Sequence, residues 1–492
     1  MKKIVLGAVF IAGYLIMSLE LLGARLLAPY FGNSIYVWAS LIGVAMAALA
    51  GGYFLGGRLA IRPEKINWLK LAFLIVAVSL LADLFFYRAI LESLAGSGAV
   101  VGSLIGALIL FLIPMVSLAA VSPLAIKELA REGEAGYWSG VIYAVGTIGS
   151  LAGVFLTAFY LIPFLGSRLS LFSCLFLALG VLAVLILTQN KQEIFWAGLI
   201  FFISFWGLKA PLLPAGVILE EESPYNQLRL VKENGRLFLT LNSLDARIAH
   251  SVFSETREAK DYYLKGLFSL GPMLAAGQKV LILGLGAGAT LKQQQALFPG
   301  LKIDAVEIDP KIIALAKDYF FVQESSALKI YEADARPYLR ASATLYDVIE
   351  IDLFQGSPYI PFYVVSQEFF QQVLARLNEG GVMTMNILTL DQPELMEPIL
   401  NTIRSVFPSV FIVPTGGNIL AIATSKPTEL EQIKEKMSVV AGQEEALKEV
   451  VVLANEAISV YQPKKTNLVF TDDWAPIEMI THQMLKNANY LN

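Results

Sequence analysis

The 492-residue chain has one cysteine, Cys174, and two histidines, His250 and His482. A lone cysteine within an apolar stretch excludes disulfides inside the chain and thiolate metal sites. Neither histidine has a ligand-spaced motif around it, so both read as structural and no metal is expected. Charge is scarce too. Asp, Glu, Lys and Arg make up 16 % of the chain and leave a net charge of −4, which gives no electrostatic ground for a nucleic acid partner. What fills the space is apolar: 56 % hydrophobic residues and a mean hydropathy of +0.62 are too much for a soluble protein. The excess is uneven, concentrated before about residue 211, and the length allows two or three domains.

Seven apolar stretches lie near 4–22, 35–56, 69–90, 98–121, 138–162, 169–188 and 194–208. Most reach the ~20 residues that a helix needs to cross a bilayer. The first is too long for a cleaved signal peptide and no small-residue cleavage site follows it. It is expected to stay as a helix. Basic residues in the short connections set the orientation. Lys2, Lys3, Arg58, Arg62, Lys65, Lys70, Lys127, Arg131 and Lys191 fall on the N-terminal side, against Arg25, Arg88, Arg168 and Lys209 on the other. The N-terminus is therefore expected in the cytoplasm. Seven crossings would put the remainder outside. The seventh stretch has only 15 residues between Glu193 and Lys209 and is followed by Pro211 and Pro214. Read as re-entrant or interfacial, it leaves six crossings, a multi-pass cell-membrane protein and a cytoplasmic C-terminal domain.

Two acids interrupt the apolar stretches, Glu20 and Asp83. A carboxylate at mid-bilayer costs ~2.5–3.5 kcal/mol, which invites a role in binding a cationic solute. The plainer reading pairs Glu20, near its helix end, with Arg25, and Asp83 with Arg88. Small residues around Gly51, Gly52, Gly56 and Gly57, and around Gly140, Gly146, Gly149 and Gly153, fit close helix packing.

After Pro214 the hydrophobic period changes to two. Leu228 and Leu230, then Leu237, Leu239 and Leu241, alternate with other residues around Glu233-Asn234-Gly235, a strong hairpin signal. Residues 255–270 read as a helix. The stretch that organises the remainder is VLILGLGAGATLKQQQALFPGLKIDAVEIDP, residues 280–310. A buried strand (280–283) breaks into Gly284, Gly286 and Gly288, a helix follows, and a second strand (303–306) ends at Glu307. This is the plan of a nucleotide-type site. The glycines permit a tight turn and close approach of a ligand, and the helix N-terminus offers free N–H groups. A dinucleotide fingerprint wants glycine where Ala289 stands, so a sulfonium nucleoside fits better. Asp309-Pro310 starts a helix. Strand 328–331 leads to Asp334, strand 347–351 to Asp352, then come helix 367–377, a Gly380-Gly381 turn and strand 382–386. Strands alternating with helices argue a doubly wound parallel sheet whose carboxyl-terminal edge gathers the glycines, Glu307, Asp334 and Asp352. By chemistry Glu307 would hold a ribose, Asp334 the adenine amino group, and Asp352 would face the sulfonium and orient or deprotonate an attacking amine.

These segments resemble the spermidine synthases, the polyamine aminopropyltransferases. The likeness runs from SPYNQLRLV (223–231) through GLGAG, VEID (306–309), EADARPYL (332–339) and DVIEID (347–352) to EFFQQVLARLNEGGV (368–382). ELLGARLLAPYFGNS (20–34), GGYFLGGRLA (51–60) and TDDWAPIE (471–478) are similar to the bacterial branch fused to membrane helices. The resemblance implies a six- or seven-helix membrane bundle (1–211), a small β-hairpin domain (212–254) and a Rossmann-like, class I methyltransferase-type domain (255–492). It also implies a homodimer, lipid contact, and transfer of an aminopropyl group from decarboxylated S-adenosylmethionine to a diamine, releasing methylthioadenosine. Glu307, Asp334 and the adjacent Ala335 match its nucleoside-binding positions and Asp352 its catalytic aspartate. Tyr262 or Tyr263, Asn226 and Gln355 fall at its substrate positions.

The chain departs from that pattern in its polyamine half. The aspartate that holds the donor's amine is Ala287, and the D-x-x-D pair becomes Asp352-Leu353-Phe354-Gln355. Tyr-Gln becomes Tyr225-Asn226, and no tyrosine precedes PTGG (414–417). Three functions remain open at this level: aminopropyl transfer to an amine, methyl or other alkyl transfer from S-adenosylmethionine itself, or a silent nucleoside sensor coupled to a cation-binding bundle.

Overall fold

A computed structural model describes residues 2–32, 34–62, 67–130, 134–187, 216–242, 251–254, 267–275, 277–354, 359–390, 392, 396–415, 417–443, 445–463 and 468–487. The chain divides into two compact units, one built on 1–214 with 221–227, the other on 215–220 with 228–491.

The first unit is helical. The described residues form α1 (Lys2–Phe31), α2 (Ile35–Ala60), α3 (Trp68–Leu94), α4 (Gly98–Leu129), α5 (Ala135–Leu156) and α6 (Ile162–Leu187). Six of the seven apolar stretches thus become helices, and 194–208 lies outside the described residues. Left-handed glycines, Gly98 (φ 80°) and Gly166 (φ 74°), turn the chain where no other residue type does so at low cost. Four continuous helical runs, Lys2–Phe31, Ile35–Ala60, Trp68–Leu129 and Ala135–Leu187, are long and apolar enough to cross a membrane.

Small residues set the closest helix contacts. A Cβ on Gly52 or Gly56 would lie 2.4 Å from Val116 O or 2.6 Å from Pro123 on α4; one on Gly149 or Gly153 would lie within 2.3 Å of α1 backbone. Gly51, Gly57 and Gly140 instead face open space. The basic connections collect at one end: Lys127 Nζ donates to Arg62 O (3.4 Å), and Lys2 Nζ sits 4.7 Å from the Trp138 ring centre. Two expectations fail here. Glu20 is not at a helix end, because the apolar sequence carries α1 on to Phe31. Asp83 does not pair with Arg88: Arg88 Nε donates to Tyr87 Oη (3.0 Å), while Asp83 Oδ2 is buried without a hydrogen-bond partner.

The second unit opens on an antiparallel sheet, β1 (Val217–Glu222), β2 (Gln227–Glu233), β3 (Arg236–Leu241) and β4 (Ser251–Ser254), in sequential order. Asn234 (φ 48°) and Gly235 (φ 76°) form the hairpin turn that the sequence predicts. The buried leucines of the hairpin, Leu228, Leu230, Leu239 and Leu241, pack on Ala287, Ile312, Leu315 and Phe320. Residues 255–266 lie outside the described residues, and only the short α7 (Leu270–Leu274) follows.

The large sheet comprises β5 (Lys279–Leu283), β6 (Lys302–Glu307), β7 (Leu328–Glu332), β8 (Tyr346–Ile351), β9 (Leu377–Leu388), β10 (Ser409–Pro414), β11 (Asn418–Thr424) and β12 (Ser459–Val460). Its order is β12-β10-β11-β9-β8-β5-β6-β7. β5 to β9 run parallel, whereas β11, β10 and β12 are antiparallel additions. This is the doubly wound order of a Rossmann-like, methyltransferase-type domain. The expected Gly380-Gly381 turn is a bulge inside β9, since Tyr346 pairs with Leu377 but Val348 with Val382.

Strand residues alternate between two buried faces, as a covered parallel sheet requires. Leu281 and Leu283 join one core with residues of α10 (Ala335–Ala341), α11 (Gln367–Ala375), α12 (Glu397–Val406) and α15 (Ile477–Asn487). Val280 and Ile282 join the other, with α8 (Ala289–Leu297) and α9 (Pro310–Asp318). Helices α13 (Leu430–Gln443) and α14 (Glu445–Ala457) cover β10 and β11 beside α7.

Candidate active site

The strand order reverses between β5 and β8, so the loops after these two strands diverge and leave a crevice at their carboxyl ends. Gly284, Gly286 and Gly288 all have positive φ, at 92°, 52° and 77°. Gly284 is the tightest position: a Cβ there would stand 2.3 Å from Asp352 O, which holds the glycine turn directly against the start of the β8 loop.

Four N–H groups of the turn itself are engaged internally. Gly284 N–H donates to Val306 O (2.9 Å), Gly286 N–H to Glu307 Oε2 (3.2 Å), Ala287 N–H to Ser251 Oγ (3.0 Å) and Gly288 N–H to Leu285 O (2.9 Å). These bonds fix the shape of the turn.

Glu307 ends β6 and is buried. Oε2 accepts from Gly286 and Oε1 from Asp309 N–H (3.1 Å), so the carboxylate is fixed beside the turn. Burial pushes its pKa up to about 7, against the lowering effect of the Asp309 and Gly286 N–H groups. Asp309 caps α9 through Lys311 N–H (3.0 Å). Asp334 caps α10: Oδ1 accepts from Arg336 N–H (3.0 Å), and Oδ2 accepts from Tyr363 Oη (3.1 Å). Asp334 is thus a helix cap and a member of the strand-end set at once, with Ala335 buried behind it. Glu307 O accepts from Ala333 N–H (3.0 Å), which ties the ends of β6 and β7 together.

Asp352 follows β8, its N–H donating to Leu283 O (3.0 Å). Its Oδ1 accepts from Asn386 Nδ2 (3.0 Å) on β9, and Asn386 Oδ1 accepts from Asn418 Nδ2 (2.7 Å) on β11. Glycine turn, Glu307, Asp334 and Asp352 therefore line the carboxyl ends of four adjacent strands, β7, β6, β5 and β8. At a strand spacing of ~4.8 Å the edge is about 14 Å long from β7 to β8.

Residues 263–436 match the model of the spermine/spermidine synthase domain. The matched residues all lie in the second unit. Among its relatives, a probable polyamine aminopropyl transferase of Bifidobacterium longum is 29 % identical over 278 residues, covering 53 % of this chain and 61 % of that protein. The chain thus spans about three fifths of that relative's length. The Xenopus laevis eEF1A lysine and N-terminal methyltransferase is 30 % identical over 157 residues, 30 % of this chain and 22 % of that protein. A crystal structure of a probable spermidine synthase from Corynebacterium glutamicum superposes with TM-score 0.38 at 17 % identity, covering 52 % of this chain and 99 % of that one.

The other positions expected from the sequence to meet a substrate are less fully described. Tyr262, Tyr263 and Gln355 lie outside the described residues. Asn226 is buried in the turn between β1 and β2, where its N–H donates to Ser223 Oγ (2.8 Å). Sequence reasoning missed Asn386, Asn418, Tyr363 and Ser251. Only Asn386 had a readable signal, a polar residue at the carboxyl end of an apolar strand. It also left TDDWAPIE without a role: Asp472 takes both Nη atoms of Arg336 (2.7 and 2.6 Å) and accepts from Ser366 Oγ (2.6 Å). Arg336 Nη1 also donates to Tyr363 O (2.9 Å), so the C-terminal motif steadies the residue that bonds Asp334.

Proposed function

We propose that the synthase domain transfers an aminopropyl group from decarboxylated S-adenosylmethionine to an amine, with Asp352 as the catalytic carboxylate and Glu307 and Asp334 as the nucleoside-binding acids. The observation that carries the reading is the placement of Asp352 beside the internally bonded glycine turn, with one strand between it and Glu307. In the reaction the amine lone pair forms a bond to the carbon beside sulfur as the carbon–sulfur bond breaks. Sulfur keeps the electron pair, the positive charge passes to the new ammonium, and its proton leaves through Asp352. Glu307 accepts the ribose hydroxyls, Asp334 the adenine amino group, and Asn386 fixes the carboxylate towards the nucleophile.

Asp352→Asn should lower transfer by ~10²–10⁴-fold, the range for a positioned general base, and leave methylthioadenosine binding within about twofold. Undiminished turnover in that variant would discard the mechanism.

A second reading, methyl transfer from S-adenosylmethionine, is favoured by Ala287. The position that would hold a carboxylate for the donor amine is fully buried against the hairpin leucines. The methyltransferase names among the relatives point the same way. Calorimetric competition between S-adenosylmethionine and its decarboxylated form separates the two.

We read the chain in three parts, a multi-pass membrane bundle (1–211), the small β-domain (212–254) and the synthase domain (255–492), with a homodimer as the working assembly. The gathering of Lys2, Arg62 and Lys127 at one end of the bundle supports a cytoplasmic N-terminus. An even number of crossings then keeps the synthase domain with its donor.

A further inference from the structure

The helical unit holds a cleft of about 490 Å³ between α3 and α4, lined among others by Ser79, Asp83, Phe86, Ile109, Leu110 and Pro114. Its volume lies in the range of small-ligand sites. Asp83 is 7 % exposed and its Oδ2 has no hydrogen-bond partner. An acid left so inside an apolar bundle lowers stability and marks a site that something else completes. A second feature of the same wall points to a donor-bearing ligand. Pro114 lies inside α4 and has no N–H, so the carbonyl four residues earlier, on Leu110, loses its helical partner. Leu110 and Pro114 line the cleft together with Asp83.

We propose that this cleft binds an organic cation with a single ammonium group and an apolar body. Asp83 supplies the one counter-charge, and the released Leu110 carbonyl and the Ser79 hydroxyl take further N–H donors. The Phe86 ring offers a face to the cation. Apart from Ser93, whose hydroxyl donates to Ile90 O, the remaining wall is aliphatic and suits a hydrocarbon body. A single carboxylate decides the class. A diamine or polyamine would leave its other ammonium groups desolvated without compensation, which disfavours it strongly. The bundle's ligand is therefore chemically distinct from the acceptor proposed for the synthase domain. The cleft rim is lipid-like, with Phe86, Ile109 and Ile113 at 59 %, 49 % and 57 % exposure, so an amphiphilic amine can enter along the bilayer.

The test uses the full chain in nanodiscs of zwitterionic lipid, with 2-phenylethylamine as the probe and 2-phenylethanol as its uncharged analogue. The amine should bind at least ~10-fold more tightly than the alcohol. Asp83→Asn should lose that preference while binding the alcohol as the unaltered protein does, which shows that the cleft is intact. Equal binding of amine and alcohol by the unaltered protein would overturn the proposal without any variant, leaving a plain apolar crevice. So would equal amine affinity in Asp83→Asn. A disulfide formed between two copies through Ala89→Cys, with no amine binding, would assign the cleft to a second copy of the chain instead. None of these outcomes depends on whether the synthase domain turns over.

Discussion

At the scale of single residues, Glu307 has two opposed demands on it. Its folded pKa of about 7 stands above the ordinary 4.5 because burial penalises the charge. Between those values the folded protein keeps a proton that the unfolded chain has lost. Stability from this group is therefore highest below about pH 4.5, declines as pH rises towards 7, and stays reduced above it. Nucleoside binding has the reverse dependence, because ribose hydroxyls donate to the ionised form. Affinity for methylthioadenosine should be level above about pH 7 and weaken by up to tenfold per pH unit below it. Calorimetry across that range checks this, and a flat profile would remove Glu307 from the site. Asn386 makes a different prediction, since it acts through Asp352. Asn386→Leu should cut kcat by about 10–100-fold with KM little changed, the signature of a displaced group rather than a lost contact.

At the scale of elements, the hairpin and the glycine turn form one packed unit, and this limits what substitution can restore. Ala287 is buried among Leu228, Leu230 and Leu239, and its N–H is bonded to Ser251. Ala287→Asp should therefore not create a donor-amine site. It should lower unfolding stability by several kcal/mol, because a carboxylate would enter an apolar core without a partner. A denaturant titration would show a shifted midpoint with an unchanged slope, whereas a stable variant with tighter donor binding would contradict the packing argument. The Arg336–Asp472 pair links α10 to the segment before α15. The arginine guanidinium and the Ser366 hydroxyl hold the Asp472 carboxyl below its usual range. Asp472→Ala should cost about 1 kcal/mol, given partial exposure, and speed amide exchange in 470–487. Acid below the carboxylate range should do the same.

At the scale of the whole molecule, much of the plan was legible because it rests on local rules. Apolar length marked six helices, Asn234-Gly235 marked the hairpin, and the apolar runs ending in Gly284, Glu307, Asp334 and Asp352 marked the edge of the parallel sheet. What was not legible depends on partners distant in sequence. The antiparallel strands β10 and β11 carry Asn418 to Asn386, 32 positions away, and no local pattern announces that meeting. The engaged N–H groups of the turn were hidden for the same reason: Ser251 lies 36 positions before Ala287. Asp83 was misread because charge spacing on a helix suggests a pair that the observed geometry does not form. The membrane reading itself is open to direct test. A tag after Asn492 should be digested by protease in inside-out vesicles and protected in right-side-out ones; the opposite pattern would reverse the orientation.

A turn that leans on distant side chains has a consequence for when it can form. The N–H groups of Gly286 and Ala287 are held by Glu307 and Ser251. The crevice therefore takes its shape only once β4 and β6 are in place.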